Sequence, residues 1–196
     1  VQYTENGAVG YRTTGKKLLD LNFSVASLRS ASEQQIINKF MDAYYEHPVL
    51  ACKWLFYARD VREGLGERRL FRTVFAWLSQ NRADVAKKVL EFVPTYGRYD
   101  DVLCAFETDL QDDIVNVIKA QLDADTHNMK NNKPISLIAK WMPSENASSD
   151  NTKRLATAIR TKLGMTSRNY RKMLSEMRKY IDVVECKMSA KQWNEI

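Results

Sequence analysis

From Ser32 onward, apolar residues return every three or four positions and glycine almost disappears. Spacing of three and four keeps side chains on one face of an α-helix, whereas a half-buried strand needs strict alternation. The glycines that remain (Gly64, Gly66, Gly97, Gly164) and the prolines (Pro48, Pro94, Pro134, Pro143) fall between these periodic runs, where helices begin or end. No alternation lasts more than a few residues. Asp182–Glu185 is the best strand candidate, and a poor one. The expected class is all-α, with about eight to ten helices joined by short loops and packed as antiparallel neighbours.

The pattern also places the elements. Ser32 caps a helix running to about Glu46. Pro48 opens the next, which is apolar nearly all round to about Arg62 and ends at Gly64 and Gly66. Further helices are expected over Glu67–Gln80, Arg82–Phe92, Asp109–Asp125 and Ser136–Trp141, with a short one from Asp100 or Asp101 to about Phe106. Ser149 starts a helix to Leu163 with Gly164 as its C-terminal cap. Thr166 or Ser167 starts another, to about Ile181, with Tyr170, Met173, Leu174 and Met177 as its stripe. The polar run His127–Lys133 reads as a loop, and Ser189 starts a last piece. Residues 1–30, which hold Gly7, Gly10 and Gly15, read as an N-terminal arm with a short helix near Lys16–Leu21. Residues 31–196 read as one α-helical domain. The start on Val1 and the stop at Ile196 within a helical pattern suggest a piece of a longer chain.

Composition narrows the class of function. With 44% apolar residues, four Trp, nine Tyr and seven Phe, the chain has the material for a core. No apolar run approaches the roughly 20 residues that span a bilayer. The first residues lack the basic and apolar regions of a secretory signal. Cys52, Cys104 and Cys186 form no CxxC pair, and their odd number argues against a disulfide framework. The expectation is a cytoplasmic protein without a membrane segment.

Catalytic patterns are sparse. His47 and His127 are the two histidines, and neither has a ligand or base partner at useful spacing. No P-loop, GxGxxG or HExxH is present. Cys52 sits in an apolar helix and reads as core, as do Trp54, Phe71, Phe75, Trp77 and Trp141. Asp100–Asp101 and Asp112–Asp113 are sequence neighbours and point apart on a helix. No enzyme, cofactor or metal is expected.

Charge is the stronger lead. Lys153, Arg154, Arg160, Lys162, Arg168, Arg171, Lys172, Arg178 and Lys179 lie close together against one acid, Glu176, in a chain of formal net charge +6. The segment therefore holds the whole surplus, and such a local field attracts a polyanion. Arg168, Arg171, Lys172 and Lys179 share the face opposite the Tyr170–Met177 stripe. Packed as an antiparallel hairpin with the preceding helix, they would form one cationic surface. A second cluster, Arg59, Arg62, Arg68, Arg69 and Arg72, is interleaved with Asp60, Glu63 and Glu67, which suits ion pairing as well as nucleic acid. Tyr96, Arg98 and Tyr99 flank Gly97 and could stack on an unpaired base.

Several stretches carry a family resemblance. They are Lys53–Arg69 (KWLFYARDVREGLGERR), Tyr96–Asp101 (YGRYDD), Lys140–Asn146 (KWMPSEN), Thr4–Gly10 (TENGAVG) and Met188–Trp193 (MSAKQW). In this order they resemble a family of uncharacterised phage and bacterial proteins, itself distantly similar to the TROVE module of Ro autoantigens. The resemblance covers nearly the whole chain. It implies a HEAT-like helical arc or bundle, followed in longer members by a von Willebrand factor A domain. It also implies binding of small structured or single-stranded RNA. The A domain's DxSxS metal motif is absent from this sequence.

The leading expectation is thus a non-enzymatic RNA-binding helical module, a ribonucleoprotein component. The alternative from another class is a protein-interaction scaffold, or a phage structural or assembly component, whose cationic face meets an acidic partner. DNA binding ranks third. Gly164–Ser167 has the connector length of a helix-turn-helix, but Arg160 stands where a small residue is usual.

Overall fold

The computed structural model describes residues 25–143, 145, 147 and 149–194. Among them the chain forms eleven helices and no strand. The all-α expectation holds, with somewhat more helices than expected. Residues 1–24 of the expected arm, including the short helix near Lys16–Leu21, lie outside the described residues. The helices group into two compact units.

The first unit holds α1 (Val25–Ser30), α2 (Glu33–Glu46), α3 (Pro48–Glu63), α4 (Leu70–Asn81), α5 (Ala83–Leu90) and α6 (Val93–Tyr96), with Glu107–Leu110. Ser32 and Gln35 close a capping box at the start of α2, each side chain bonding the other's backbone N–H at 3.2 and 2.8 Å. Pro48 occupies the first turn of α3, where a missing N–H costs nothing. α1, α2 and α4 pack on α3, and α5 packs on α4. Phe40, Trp54, Phe56 and Phe75 are fully buried there, and Phe71 stacks between Phe56 and Phe75 at 5.3 and 5.6 Å. Cys52, Trp54, Phe71 and Phe75 are core as expected, while Trp77 is half-buried.

The second unit holds α7 (Tyr99–Phe106), α8 (Gln111–Lys130), α9 (Ile138–Trp141), α10 (Asp150–Leu163) and α11 (Ser167–Asn194). α8 is its centre: α7, α10 and α11 all pack on it, and α9 packs on α11. Trp141 is half-buried. Buried Asp125 ties the link after α8 by accepting from Gln121 Nε2 (2.9 Å), the Ser136 N–H (3.0 Å) and Ser136 Oγ (2.5 Å).

Five local expectations are corrected. The helix expected from Glu67 starts at Leu70, because Glu67 turns back to Arg62. The helix expected from Ser136 starts at Ile138, because Ser136 is held by Asp125. The loop expected over His127–Lys133 is helical to Lys130: half-buried Met129 extends the stripe of Leu122 and Asp125 by one more turn. The helix ends when Asn132 takes φ +56° and Lys133 bonds back to the Asn128 carbonyl, a Schellman ending with Asn in the usual glycine place. The strand candidate Asp182–Glu185 and the separate piece from Ser189 both belong to α11, which no glycine or proline interrupts. Gly66 and Gly164, at φ +87° and +67°, make the same Schellman ending for α3 and α10, as their positions predict.

Candidate nucleic-acid interface

α10 has two faces. Thr152, Leu155, Ala156 and Ile159 are buried, while Lys153, Arg154 and Lys162 are exposed on the other side. The Arg154 guanidinium lies over the Phe106 ring, 5.9 Å from its centroid. α11 repeats the division. Tyr170, Met173, Leu174, Met177 and Ile181 are buried, and Arg168, Arg171, Lys172 and Lys179 are exposed. None of these seven cations has a carboxylate partner among the described residues. Elsewhere exposed or half-exposed cations often do, as in Arg82–Asp84, Lys88–Glu91 and Lys119–Asp123.

The remaining two of the nine face inward. Arg160 is half-buried, with Nε 2.6 Å from Glu145 Oε1 in an ion pair poorly aligned for a hydrogen bond. Its Nη1 donates to the Met165 carbonyl at 3.0 Å, pinning the turn at Gly164. Arg178 donates Nε to the Ala139 carbonyl (2.6 Å) and Nη2 to the Met142 carbonyl (2.9 Å). It thereby satisfies acceptors at the end of four-residue α9 that the helix cannot pair itself. Arg160 and Arg178 are corrected from candidate phosphate ligands to structural residues. The charge pattern alone could not separate them, because their acceptors come from distant segments.

The expected hairpin is also corrected. Among the described residues α10 and α11 do not pack along one another; α10 packs on α8 and α7, and α11 on α9 and α8. Each stripe follows its own partner, so the basic faces belong to two helices anchored on a common third. Tyr170 is fully buried; burial first, and then the negative charge of Glu145, pushes its phenol up from the ordinary value.

The aromatic loop is used internally. Tyr96 stacks on Phe56 at 6.3 Å within the first unit, and its carbonyl accepts from Arg59 Nη2 at 3.1 Å. Within the second unit the Tyr99 hydroxyl pairs with Thr152 Oγ1, and the Arg98 N–H donates to Asp101 Oδ2 at 2.8 Å. Tyr96 and Tyr99 are therefore corrected from base-stacking positions to parts of the packing on either side of Gly97, while the Arg98 side chain between them is exposed. The second arginine cluster divides too. Arg59 and Arg62 are 3% and 8% exposed and paired, Arg72 pairs with Glu107 at 3.0 Å, and Arg68 and Arg69 are exposed.

Exposed His47 sits at the joint of α2 and α3, and His127 on the last turn of α8. Among the described residues no three His, Cys, Asp or Glu side chains gather as for a metal ion. No described helix is long and apolar enough to cross a membrane.

No solved structure matches the chain. An uncharacterized protein of Acanthamoeba polyphaga mimivirus is 32% identical to it over 218 aligned positions, which take in 100% of the chain and 38% of the viral protein. The chain thus spans about two fifths of that relative's length. Over residues 4–93 it matches a family described as a domain of unknown function, DUF2828.

Proposed function

We propose that this chain is a non-enzymatic RNA-binding module whose contacts are made by the exposed faces of α10 and α11. The observation that carries the reading is the set of seven exposed cations, Lys153, Arg154, Lys162, Arg168, Arg171, Lys172 and Lys179, without carboxylate partners among the described residues. Paired surface cations are largely neutralised by their own chain. These are presented on rigid helices, spaced to reach successive phosphates. The resemblance of the sequence motifs to proteins distantly similar to the TROVE module supports RNA over DNA. The helical architecture suits a HEAT-like module, and in longer relatives a von Willebrand factor A domain would follow it.

Binding of labelled single-stranded RNA, measured across a salt series, tests the reading. Each phosphate contact contributes about 0.7 to the slope of log affinity against log salt, so five contacts give about −3.5. Reversing Arg168, Arg171 and Lys172 together to Glu should weaken binding strongly and leave folding intact. Binding indifferent to salt, or a triple variant as tight as the parent, would replace this reading with the protein-interaction scaffold.

A further inference from the structure

A groove of about 800 Å³ opens within the second unit, between the exposed half of α10 and the first turns of α8. It is of the size that small-molecule sites usually have. Its apolar part comes from buried Phe106 and Val115 and half-buried Ala158. Its cations are Lys153, Arg154 and Lys162, and its lining includes one acid, Asp112. Lys153 and Lys162 stand nine residues apart on α10, which sets them about 13 Å apart along the axis. Arg154, beside Lys153, is held over the Phe106 ring. A guanidinium over a ring is a platform for a nucleobase, and Lys153 and Lys162, at opposite margins of the groove's α10 wall, suit phosphates.

We propose that this groove is a nucleotide site. The base lies on the Phe106–Arg154 platform, phosphates reach Lys153 or Lys162, and Asp112 accepts from a ribose hydroxyl or a base amine. The composition argues against an acidic peptide, whose carboxylates would leave the apolar floor of Phe106 and Val115 uncovered. The proposal deepens the RNA reading and rests on it, giving the α10 face a base-contacting role and leaving α11 as a phosphate contact. The same chemistry is offered by a free nucleoside phosphate and by an unpaired residue of an RNA chain.

Calorimetric titration of the 196-residue chain with ADP, with a pentameric riboadenylate and with a duplex of the same length tests it. Three variants are compared: Lys153→Glu with Lys162→Glu, Ala158→Trp, and the α11 triple reversal. Ala158→Trp fills the groove and keeps every cation; if it fails to fold by circular dichroism, the Lys153/Lys162 variant, altered only at exposed positions, carries the test. The expected result is that ADP or the pentamer binds, the duplex binds worse, and both groove variants weaken binding about tenfold or more. ADP binding should survive the α11 reversal. ADP binding marks a free nucleotide as sufficient; binding of the pentamer alone marks the polymer as the source. If neither binds, or if both groove variants bind like the parent, the nucleotide site is wrong. In that event salt-dependent binding of longer RNA, lost in the α11 reversal, would leave the broader reading standing.

Discussion

Arg59 and Arg62 on α3 and the basic residues of α10 and α11 look alike in composition and are opposites in structure. Arg62 is buried and donates Nη1 to the Leu28 and Ala31 carbonyls at 3.0 and 2.5 Å, closing the end of α1. Its Nε and Nη2 reach Glu67 Oε2 at 2.8 and 2.5 Å. Arg59 bonds Asp60 and the Tyr96 carbonyl and lies over Phe56 at 5.4 Å. On α10 and α11 seven cations point to solvent and pair with no described carboxylate. An arginine near acids and near the open end of a helix becomes a strut. One opposite an apolar stripe, in an acid-poor segment, stays available. Arg178 shows that the second condition alone is insufficient.

The comparison can be broken by stability measurements set beside RNA affinity. The largest effect belongs to the packed side: Trp54→Ala should cost about 3–5 kcal/mol in urea unfolding, with RNA affinity per folded molecule unchanged. If stability held and binding vanished, α3 would be a site and not a core. Arg62→Ala should cost about 2–3 kcal/mol, because it strands two carbonyls and a half-exposed carboxylate. Arg62→Lys should rescue little, since an ammonium cannot span the same acceptors. Within the basic segment, Arg178→Ala should cost about 1–2 kcal/mol and barely move RNA affinity, whereas its neighbour Lys179→Ala should do the reverse. Equal behaviour of the two would erase the distinction drawn between them. The triple reversal at Arg168, Arg171 and Lys172 should shift stability by no more than about 0.5 kcal/mol.

The smallest effect near neutral pH concerns Cys52. Burial pushes its thiol from 9.0 to about 12. The folded state therefore holds the proton more tightly than the unfolded one. The associated stability is fully present below about 9 and is lost as pH rises toward 12. Iodoacetamide at pH 8 should leave Cys52 unlabelled until the chain unfolds, as read by peptide mass. Rapid labelling of the native chain would show that α3 opens locally.

What the sequence determined by itself was local. Apolar spacing of three and four set the helices, and the capping box at Ser32, Pro48, Gly66 and Gly164 set several ends, because these depend on a few adjacent residues. The exposed face of α11 was legible for the same reason: once Tyr170, Met173, Leu174 and Met177 define the buried stripe, Arg168, Arg171 and Lys172 must lie opposite. Tertiary structure decided whatever depended on a partner far along the chain. It turned Arg178 inward to carbonyls at Ala139 and Met142, and Arg62 to carbonyls at Leu28 and Ala31. It set α10 and α11 on α8 in place of each other. It also brought Phe106 and Asp112 into one groove with Lys153, Arg154 and Lys162, which no local spacing could announce. Periodicity says which side of a helix is buried; only the packed chain says against what.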